Sequence, residues 1–297
     1  MQSGPLRTLL DRVPDQMAQN AVMRAITCTL AAAILVCAAT RVAAQTEPPQ
    51  VAPDKCLALA SAPQRTPLIR EASLRNASLE DNELRLTFLG HATFLIESPK
   101  GVKAATDYAV PIPPPNIPDI VTMNVAHSSH YTNNPQPEIT HVLRGWNPAG
   151  GYAAHDVTVE DMRVRNVPTN TRNWGGGTHE FGNSIFIFEV GTWCIAHLGH
   201  LHHPLTMQQL ASIGQMDVVL VPVDGSWTLD YPGMLEVLKA MNPRLIVPMH
   251  YFTQFTLQRF LTAAGNEFPV TVMDVPTIVL AKDKLPVGTE ILVLPGN

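Results

Sequence analysis

The sequence predicts an α/β fold in which two β-sheets pack face to face and the helices lie outside them. Segments with strand-like alternation or short apolar runs dominate residues 83–198. From about residue 205, apolar strand-like segments alternate with segments of helical period. The 297 residues are 45% hydrophobic and only 15% charged, enough for a substantial core. Sheets and helices with one apolar side bury it best in stacked layers.

The first half of the folded region is predicted to be mainly strands. Residues 83–90 (ELRLTFLG) alternate apolar and polar, and Pro99-Lys100-Gly101 provides a hairpin turn after the next strand. Prolines at 111–118 predict a stiff extended loop, because each fixes φ and removes a hydrogen-bond donor. The further predicted strands here are 92–98, 102–107 and 119–126.

The second half is predicted to change from strands to strand–helix alternation. An alternating segment (157–168) precedes a glycine-rich loop (169–183), and two strands follow at 184–190 and 192–198. The predicted helices are 205–214, 231–242 and 253–265, separated by buried-type strands at 216–223 and 244–250. Short strands end the chain.

Residues 1–44 have the pattern of an export signal, with Met23 as an alternative start. Arg24 precedes an apolar run of the length of a signal core (26–40), and the small residues 42–44 predict cleavage after Ala44. We therefore expect a periplasmic or secreted protein without a membrane anchor, the alternative being a retained anchor. Residues 45–82 are predicted to form a Pro/Ala-rich arm, and residues 83–297 the folded domain.

The charge of the chain excludes some partners. After residue 44 there are 16 basic and 23 acidic residues, a net charge of −7. A nucleic-acid partner requires a basic surface, so we expect a small-molecule substrate and no nucleic acid. Composition does not predict the oligomeric state.

Four cysteines raise the question of a disulfide. Cys28 and Cys37 lie in the predicted signal, so Cys56 and Cys194 remain. In an oxidising compartment these two can pair and attach the arm to the domain. A buried, free Cys194 is the alternative.

Several histidines follow predicted strands and indicate a metal site. His127 and His130 follow one strand, His200 follows another, and His250 ends a third. Strand ends are rigid and their loops converge, which is how metal sites collect ligands. Imidazole suits zinc, copper, iron or nickel. The alternative is that each histidine is a hydrogen-bonded structural residue.

Four segments together resemble the metallo-β-lactamase-fold superfamily, in particular its zinc-dependent, lactonase-like hydrolases. They are LTFLGHATFLIES, TDYAVP, AHLGHLHHPLTMQQLASIGQMDVVLVPVDGSWTLD and PRLIVPMHY, and the resemblance runs from about Leu84 to Leu294. It implies a four-layer αββα sandwich with one or two metal ions at one rim. It also implies a hydrolase in which metal-bound hydroxide attacks an ester, lactone, amide or phosphoester, and the predicted signal adds the expectation that this hydrolase is exported.

The sequence departs from this family at its metal ligands. The family motif H-x-H-x-D-H is replaced by AHSSHYTNN, which lacks the aspartate, and the family's bridging aspartate is replaced by His200. Without a bridging carboxylate two cations would repel each other, so we expect a single divalent metal, with zinc favoured. The predicted metal ligands are His127, His130, His200 and His250.

Two further residues are candidates for catalysis. Asp107 matches the aspartate of the family's TDP motif, which fixes the tautomer of a ligand imidazole. His91, from GHAT, is expected at the same rim; a structural His91 bonded to a backbone carbonyl is the alternative. Candidate substrate-binding residues are Tyr131, Trp174, Asp224 and Trp227. Trp174 and the glycines after it predict either a mobile flap or a solvated loop.

The remaining histidines have simpler interpretations. His197 is predicted inside a strand, and His202 and His203 to cap the helix near Leu205 or line the pocket. His179 is a possible substitute ligand, and surface positions are predicted for His141 and His155. The alternative to a hydrolase is a catalytically degenerate protein that binds a small molecule or a metal.

Overall fold

The computed structural model describes Cys56 and residues 70–71, 78–265 and 267–296. The predicted signal (1–44) and most of the predicted arm (45–82) lie outside these residues, so both stay predictions. The strands of the described part form two sheets, one of seven and one of eight strands. None of its helices is long and apolar enough to cross a membrane.

The first sheet brings three strand ends to one edge. Its order is β1 (Arg70–Glu71), β14 (Thr277–Ala281), β2 (Glu83–Gly90), β3 (Thr93–Glu97), β4 (Lys103–Ala105), β5 (Ile120–Met123) and β6 (His141–Arg144). β3 is antiparallel to both β2 and β4, and β5 is parallel to β4. β2, β4 and β5 therefore run in the same direction and end at the same edge.

The second sheet contains a parallel centre. Its order is β13 (Val270–Val272), β15 (Glu290–Val293), β12 (Leu245–Met249), β11 (Val218–Pro222), β10 (Trp193–His197), β9 (Thr178–Val190), β8 (Met162–Arg172) and β7 (Asp156–Val159). β10, β11 and β12 are parallel neighbours, so their carboxyl ends also share one edge.

A hydrophobic core joins the two sheets. In β11, Val218 and Leu220 point into the core shared with Leu86 and Phe88 of β2. The alternate residues Val219 and Val221 point to the opposite face, as the period of two requires. The predicted face-to-face packing of two sheets is confirmed.

Three helices cover the outer face of the second sheet. They are α1 (Met207–Ile213), α2 (Tyr231–Met241) and α3 (Gln254–Ala264), and a 3₁₀ turn spans Lys282–Lys284. Leu238 of α2 and Phe260 of α3 pack against Val219 and Val221. The three predicted helices are confirmed within two residues at each end.

The prediction that His202 and His203 cap the first helix is wrong. Thr206 is the N-cap of α1: its hydroxyl accepts a hydrogen bond from Gln209 N at 3.1 Å, and Gln209 Oε1 accepts one from Thr206 N at 3.0 Å. A capping box satisfies these backbone donors locally, so the histidines are free for other contacts.

A non-helical segment covers the outer face of the first sheet. Tyr108, Ile112 and Ile139 pack there against Val121 and Met123 of β5. No helix of the described residues lies on this face. The prolines of the 111–118 loop explain this, because they remove the donors that a helix needs.

The predicted glycine-rich loop at 169–183 is too long. β8 continues to Arg172 and β9 begins at Thr178, with Thr171 paired to His179, so the connection spans only 173–177. Cross-strand hydrogen bonds extend both strands over polar residues that have little strand propensity of their own. β6, which was not predicted, forms in the same way, by parallel pairing with β5.

The structure decides between the two alternatives for the cysteines. Cys56 and Cys194 form a disulfide, and both residues are buried. The carbonyl of Cys56 also accepts a hydrogen bond from Gln215 N at 2.8 Å. Cys56 is thereby attached to β10 and to the loop before β11.

Candidate metal centre

Five histidines and two aspartates lie where the strands of both sheets end. Each follows a strand: β2, β4 and β5 in the first sheet, and β10, β11 and β12 in the second. The residues are His91, Asp107, His127, His130, His200, Asp224 and His250. Because the strands belong to a packed core, their ends hold these side chains in fixed positions.

The segment HSSH places two histidines side by side. His130 N donates to the carbonyl of His127 at 2.9 Å, which closes a turn over Ser128 and Ser129. The Nε2 atoms of His127 and His130 are 3.1 Å apart. Ser129 Oγ lies 2.8 Å from His127 Nδ1 and orients that ring.

Three residues of the site have a left-handed backbone. The φ angles are +51° at His91, +39° at Asp107 and +56° at His250. Non-glycine residues seldom adopt this conformation, and it concentrates at functional sites. The amide of His250 donates to the carbonyl of His91 at 2.7 Å, which connects the two sheets at the site.

Four imidazoles converge with the spacing of metal ligands. One ring nitrogen from each of His91, His127, His130 and His250 lies within 4.8 Å of the others. The Nε2 of His130 is 3.0 Å from that of His250 and 3.3 Å from that of His91. Two nitrogens about 2.0–2.1 Å from a tetrahedral ion are about 3.4 Å apart, so the spacing suits one zinc-sized ion.

Two carboxylates determine which ring nitrogens carry protons. Asp107 Oδ2 lies 2.5 Å from His130 Nδ1, and Asp224 Oδ2 lies 2.8 Å from His250 Nδ1. An ionised carboxylate only accepts, so His130 Nδ1 donates to Asp107 and its Nε2 presents a lone pair. At His250 the carboxylate of Asp224 lies close to Nδ1 without the geometry of a hydrogen bond, and its negative charge favours a proton on Nδ1 and a lone pair on Nε2. These two lone pairs face each other at 3.0 Å, an arrangement that a cation between them stabilises.

The rings of His91, His127, His130 and His200 are neutral at physiological pH. Burial, together with His250, His130 and His127, lowers the pKa of His91 to about 3 and that of His200 to about 2. Burial followed by the effect of His250 also lowers the pKa of His127 and His130. Neutral imidazole is the form that binds a metal.

The two aspartates differ in their surroundings. Burial raises the pKa of Asp107 to about 6, although His197 and a hydrogen bond from Asn124 oppose it. Burial acts on Asp224 as well, but the nearby His250 and hydrogen bonds from Ser226 and Thr228 hold the pKa of Asp224 well below its usual value. Both carboxylates are therefore ionised at neutral pH.

His200 lies beside the converging group. Its ring centre is 4.9 Å from that of His250 and 5.3 Å from that of His130. Its Nε2 is buried and has no hydrogen-bond partner among the described residues, while Thr171 Oγ1 lies 3.4 Å from its Nδ1. The set of four includes His91 in place of the predicted His200.

Two buried asparagines that the sequence analysis missed hold the site together. Asn124 donates to Asp107 Oδ1 at 3.0 Å, and its own oxygen accepts from Ser184 N at 2.7 Å. Asn183 Oδ1 accepts from His200 N at 2.7 Å. The available signal was an asparagine next to an apolar strand segment, where a buried amide needs polar partners.

One aromatic ring lies against the histidines, and two tryptophans contact each other. Phe252, also missed, is 60% exposed, and its ring lies 5.5 Å from that of His91 and 5.4 Å from that of His250. Trp174 and Trp227 contact each other edge to face at 5.8 Å. The apolar ring of Phe252 was not distinguishable in the sequence from a core residue.

The predicted substrate-binding residues occupy different environments. Tyr131 packs edge to face on Trp146 at 5.5 Å. Asp224 is buried, and its carboxylate oxygens accept hydrogen bonds from Ser226, Trp227 and Thr228 besides contacting His250. The geometry of Asp224 is that of a residue that positions His250, whereas Trp174 and Trp227 are exposed. Substrate binding by these four residues stays a prediction.

The other histidines have structural contacts. His197 is buried in β10 and its Nε2 lies 2.9 Å from the carbonyl oxygen of Ala92, as predicted for a strand residue. His202 Nδ1 and His203 Nε2 both contact the backbone of Asn170, at 3.1 Å each. His179 is exposed in β9 and does not belong to the converging set.

A pocket of about 520 Å³ opens beside His91. Its wall is formed by the end of β2, by residues 109–113 of the proline-rich loop and by Ser128 and Ser129. Because it shares His91 with the converging histidines, a molecule in this pocket would lie next to them.

Comparison with known proteins gives consistent relationships. A family model described as the β-lactamase superfamily domain matches residues 85–250, more than half of the chain. A UPF0173 metal-dependent hydrolase of Thermoplasma acidophilum is 27% identical over 214 residues, covering 62% of this chain and 92% of the relative. One from Carboxydothermus hydrogenoformans is 28% identical over 194 residues, covering 57% and 85% respectively.

A solved structure shares the fold. The crystal structure of a Thermotoga maritima protein assigned as a Zn-dependent hydrolase of the metallo-β-lactamase superfamily matches with a TM-score of 0.52. The two are 27% identical, and the match covers 72% of this chain and 100% of that chain. The family model, the two-sheet fold and the histidine cluster at the strand ends agree, and this chain belongs to the metallo-β-lactamase superfamily.

Proposed function

We propose that this protein is an exported, metal-dependent hydrolase that holds one divalent ion, preferably zinc, with His127, His130 and His250. The observation that carries the proposal is the pair of lone pairs on His130 Nε2 and His250 Nε2, which face each other at 3.0 Å with a carboxylate behind each ring. Both similar relatives are named metal-dependent hydrolases, which supports the same conclusion.

The donor set suits a catalytic ion. Three neutral imidazoles plus one open position are a common arrangement in zinc hydrolases. When bound, the ion would polarise a carbonyl or phosphoryl oxygen and lower the pKa of a water molecule. Asp107 and Asp224 keep His130 and His250 in the tautomer that offers Nε2.

His91 is positioned to act on the substrate. It lines the pocket, and its Nε2 is 3.3 Å from that of His130. As a neutral imidazole it can take up or release a proton near the reacting carbonyl. In ester hydrolysis, water adds to the carbonyl carbon and gives up a proton, the bond to the leaving alcohol breaks, and a proton passes to that alcohol. We assign to His91 the transfer of the proton from the water to the leaving alcohol, after which the imidazole is neutral again.

The first test is the metal content of the purified protein. We expect about one ion in the wild type and none in His130→Ala or His250→Ala, measured by elemental analysis of untagged protein. His141→Ala is the control, since this histidine lies in β6, outside the converging set. Retention of the ion by both ligand variants would contradict the ligand assignment.

A second measurement tests whether His91 acts in turnover or is itself a metal ligand. We expect His91→Ala to keep the ion and to lose most of its turnover of aryl esters. Loss of the ion would make His91 the fourth ligand. A bound ion without turnover of esters, lactones, amides or phosphoesters would favour a metal-binding protein instead.

The disulfide supports export. Disulfides persist in oxidising compartments such as the periplasm, and Cys56 and Cys194 are joined. The test is to express the full chain in a bacterial host, fractionate the cells and determine the N-terminus by mass spectrometry. We expect a periplasmic protein that begins at Gln45; an uncleaved protein in the cytoplasm or membrane would contradict export.

A further inference from the structure

The pocket beside His91 has an apolar wall without charged side chains. The described residues that line it include no Asp, Glu, Lys or Arg. Leu89, Ala109, Val110 and Ile112 contribute its apolar surface. Its volume of about 520 Å³ lies in the range of small-molecule sites.

Two of the polar side chains of this wall are already engaged in hydrogen bonds within the protein. Thr93 Oγ1 donates to the carbonyl of Asp107 at 3.0 Å, and Ser129 Oγ contacts His127 Nδ1 at 2.8 Å. Ser128 is exposed at the rim. A charged group placed against the apolar residues 109–113, away from His91 and Ser128, would therefore lose its water without gaining a partner, which is unfavourable.

The wall is also held rigidly. Gln136 Oε1 accepts hydrogen bonds from Ile112 N and from Tyr108 Oη, each at 2.8 Å. Prolines on both sides of Ile112 fix the backbone. A preformed apolar wall selects a ligand without first having to be ordered.

We propose that this pocket binds the uncharged, apolar acyl portion of the substrate, and that the protein acts on neutral carboxylic esters or lactones rather than on anionic compounds. The proposal rests on the proposed function, because it uses the pocket's position beside the histidine centre. It narrows the substrate from four classes of carbonyl and phosphoryl compounds to two, carboxylic esters and lactones.

The test compares 4-nitrophenyl esters that differ in the length or the terminal charge of the acyl chain, together with a phosphodiester of the same phenol. In the metal-loaded full chain, kcat/KM is measured for 4-nitrophenyl acetate, butanoate and hexanoate, for mono-4-nitrophenyl adipate, and for bis(4-nitrophenyl) phosphate. We expect kcat/KM to rise up to about fourfold for each methylene group buried. We expect the adipate ester, with its terminal carboxylate, to be at least about tenfold poorer than the hexanoate. No turnover of the phosphodiester is expected.

Two variants in the pocket, with one control variant elsewhere, test whether the acyl chain binds in this pocket. Ala109→Phe fills the pocket and should abolish the preference for the longer chain, whereas Ala263→Phe, an exposed position on α3, should not. Val110 is 71% exposed, so Val110→Lys should fold normally. Val110→Lys should narrow or reverse the difference in kcat/KM between the hexanoate and adipate esters, because the lysine places a positive charge beside the terminal carboxylate.

A binding measurement distinguishes failure of this proposal from failure of the proposed function. Hexanamide should raise the melting temperature of the wild type, and 6-amino-6-oxohexanoate, with the same amide but a charged end, should not. Binding of hexanamide that Ala109→Phe abolishes, without hydrolysis of any ester, lactone, amide or phosphoester, would refute the proposed hydrolase and leave the proposed acyl-binding pocket in place. If esters are hydrolysed with a kcat/KM that does not depend on chain length or terminal charge, the proposed acyl-binding pocket is refuted and the proposed hydrolase is retained. Absence of hexanamide binding would also refute the pocket.

Discussion

At the scale of single residues, the protonation of two rings determines what the site can hold. His130 and His250 each have a carboxylate at Nδ1 and another imidazole at Nε2. A neutral imidazole has one donor and one acceptor nitrogen. Because a carboxylate lies at Nδ1 of each ring, the proton is favoured on Nδ1, and Nε2 of each ring directs its lone pair to the centre of the site. The site is thus prepared for a cation before one binds.

Asp107→Asn should move the ring proton of His130 from Nδ1 to Nε2. The asparagine oxygen can still accept from Asn124, which places its NH₂ group against His130 Nδ1 and shifts the ring proton to Nε2. We expect the affinity for zinc to fall by about 10–100-fold, measured by competition with a chromogenic chelator. Asp283→Asn is the control, since Asp283 only accepts from Asn82. Unchanged affinity would show that Asp107 does not set the tautomer.

At the scale of elements, the loops after the strands bring these residues together. Gly199, between β10 and His200, has a φ of +59°. A Cβ there would lie 2.3 Å from Asn183 Oδ1 and 2.5 Å from Asn124 Nδ2. The close approach of the two asparagines, and through them the placement of Asp107 and His200, depends on the absence of a side chain at this position.

Gly199→Ala should therefore be strongly destabilising. Left-handed strain and steric overlap act together, and we expect the free energy of unfolding to fall by about 2–5 kcal/mol. Urea denaturation of the variant measures this loss. Gly288→Ala serves as the matched control, because a Cβ at Gly288 meets nothing within 4 Å. Stability like that of the wild type would contradict the close packing described here.

At the scale of the whole molecule, the disulfide closes a long loop. Cys56 and Cys194 are 138 residues apart in the sequence. Crosslinking distant residues restricts the unfolded chain, and native disulfides typically contribute about 2–5 kcal/mol. We expect the double variant Cys56→Ser, Cys194→Ser to be less stable by about this amount in urea denaturation. Reductant should destabilise the wild type and leave the double variant unchanged. Equal stability of the two proteins would show that the crosslink is dispensable.

The buried histidines make stability depend on pH. In chelator-treated protein the pKa of His91 and of His200 is lowered from 6.5 to about 3 and about 2, so below pH 6.5 the unfolded state takes up protons that the folded state does not. Stability is therefore complete above about pH 6.5 and falls as the pH falls towards 3. Asp107 acts in the opposite direction between pH 3.8 and about pH 6, because in this range its carboxyl group is protonated in the folded state and not in the unfolded state. It offsets only part of the stability lost through the histidines.

The measurement is the free energy of unfolding in urea at pH 7.5 and at pH 5.0, on the chelator-treated protein. We expect a lower value at pH 5.0. His91→Gln should reduce the difference, because it removes one of the groups responsible. A value at pH 5.0 equal to or above that at pH 7.5 would contradict the burial of neutral histidines.

The sequence by itself determined the layers and the neighbourhood of the site. Alternation in β2 and β11 and the helical period of α2 and α3 reflect which faces are buried, so the local pattern contains the two-sheet fold. Histidines after strands indicated where side chains collect, because strand ends of one direction share an edge.

Only the tertiary structure decided which side chains meet. The close approach of His91 and His130, and the role of Asp224 behind His250, depend on two sheets meeting across the core. So do the buried amides of Asn124 and Asn183, the disulfide, and strands such as β6 and the polar ends of β8 and β9. These features rest on contacts between residues far apart in the chain, and no local pattern contains that information.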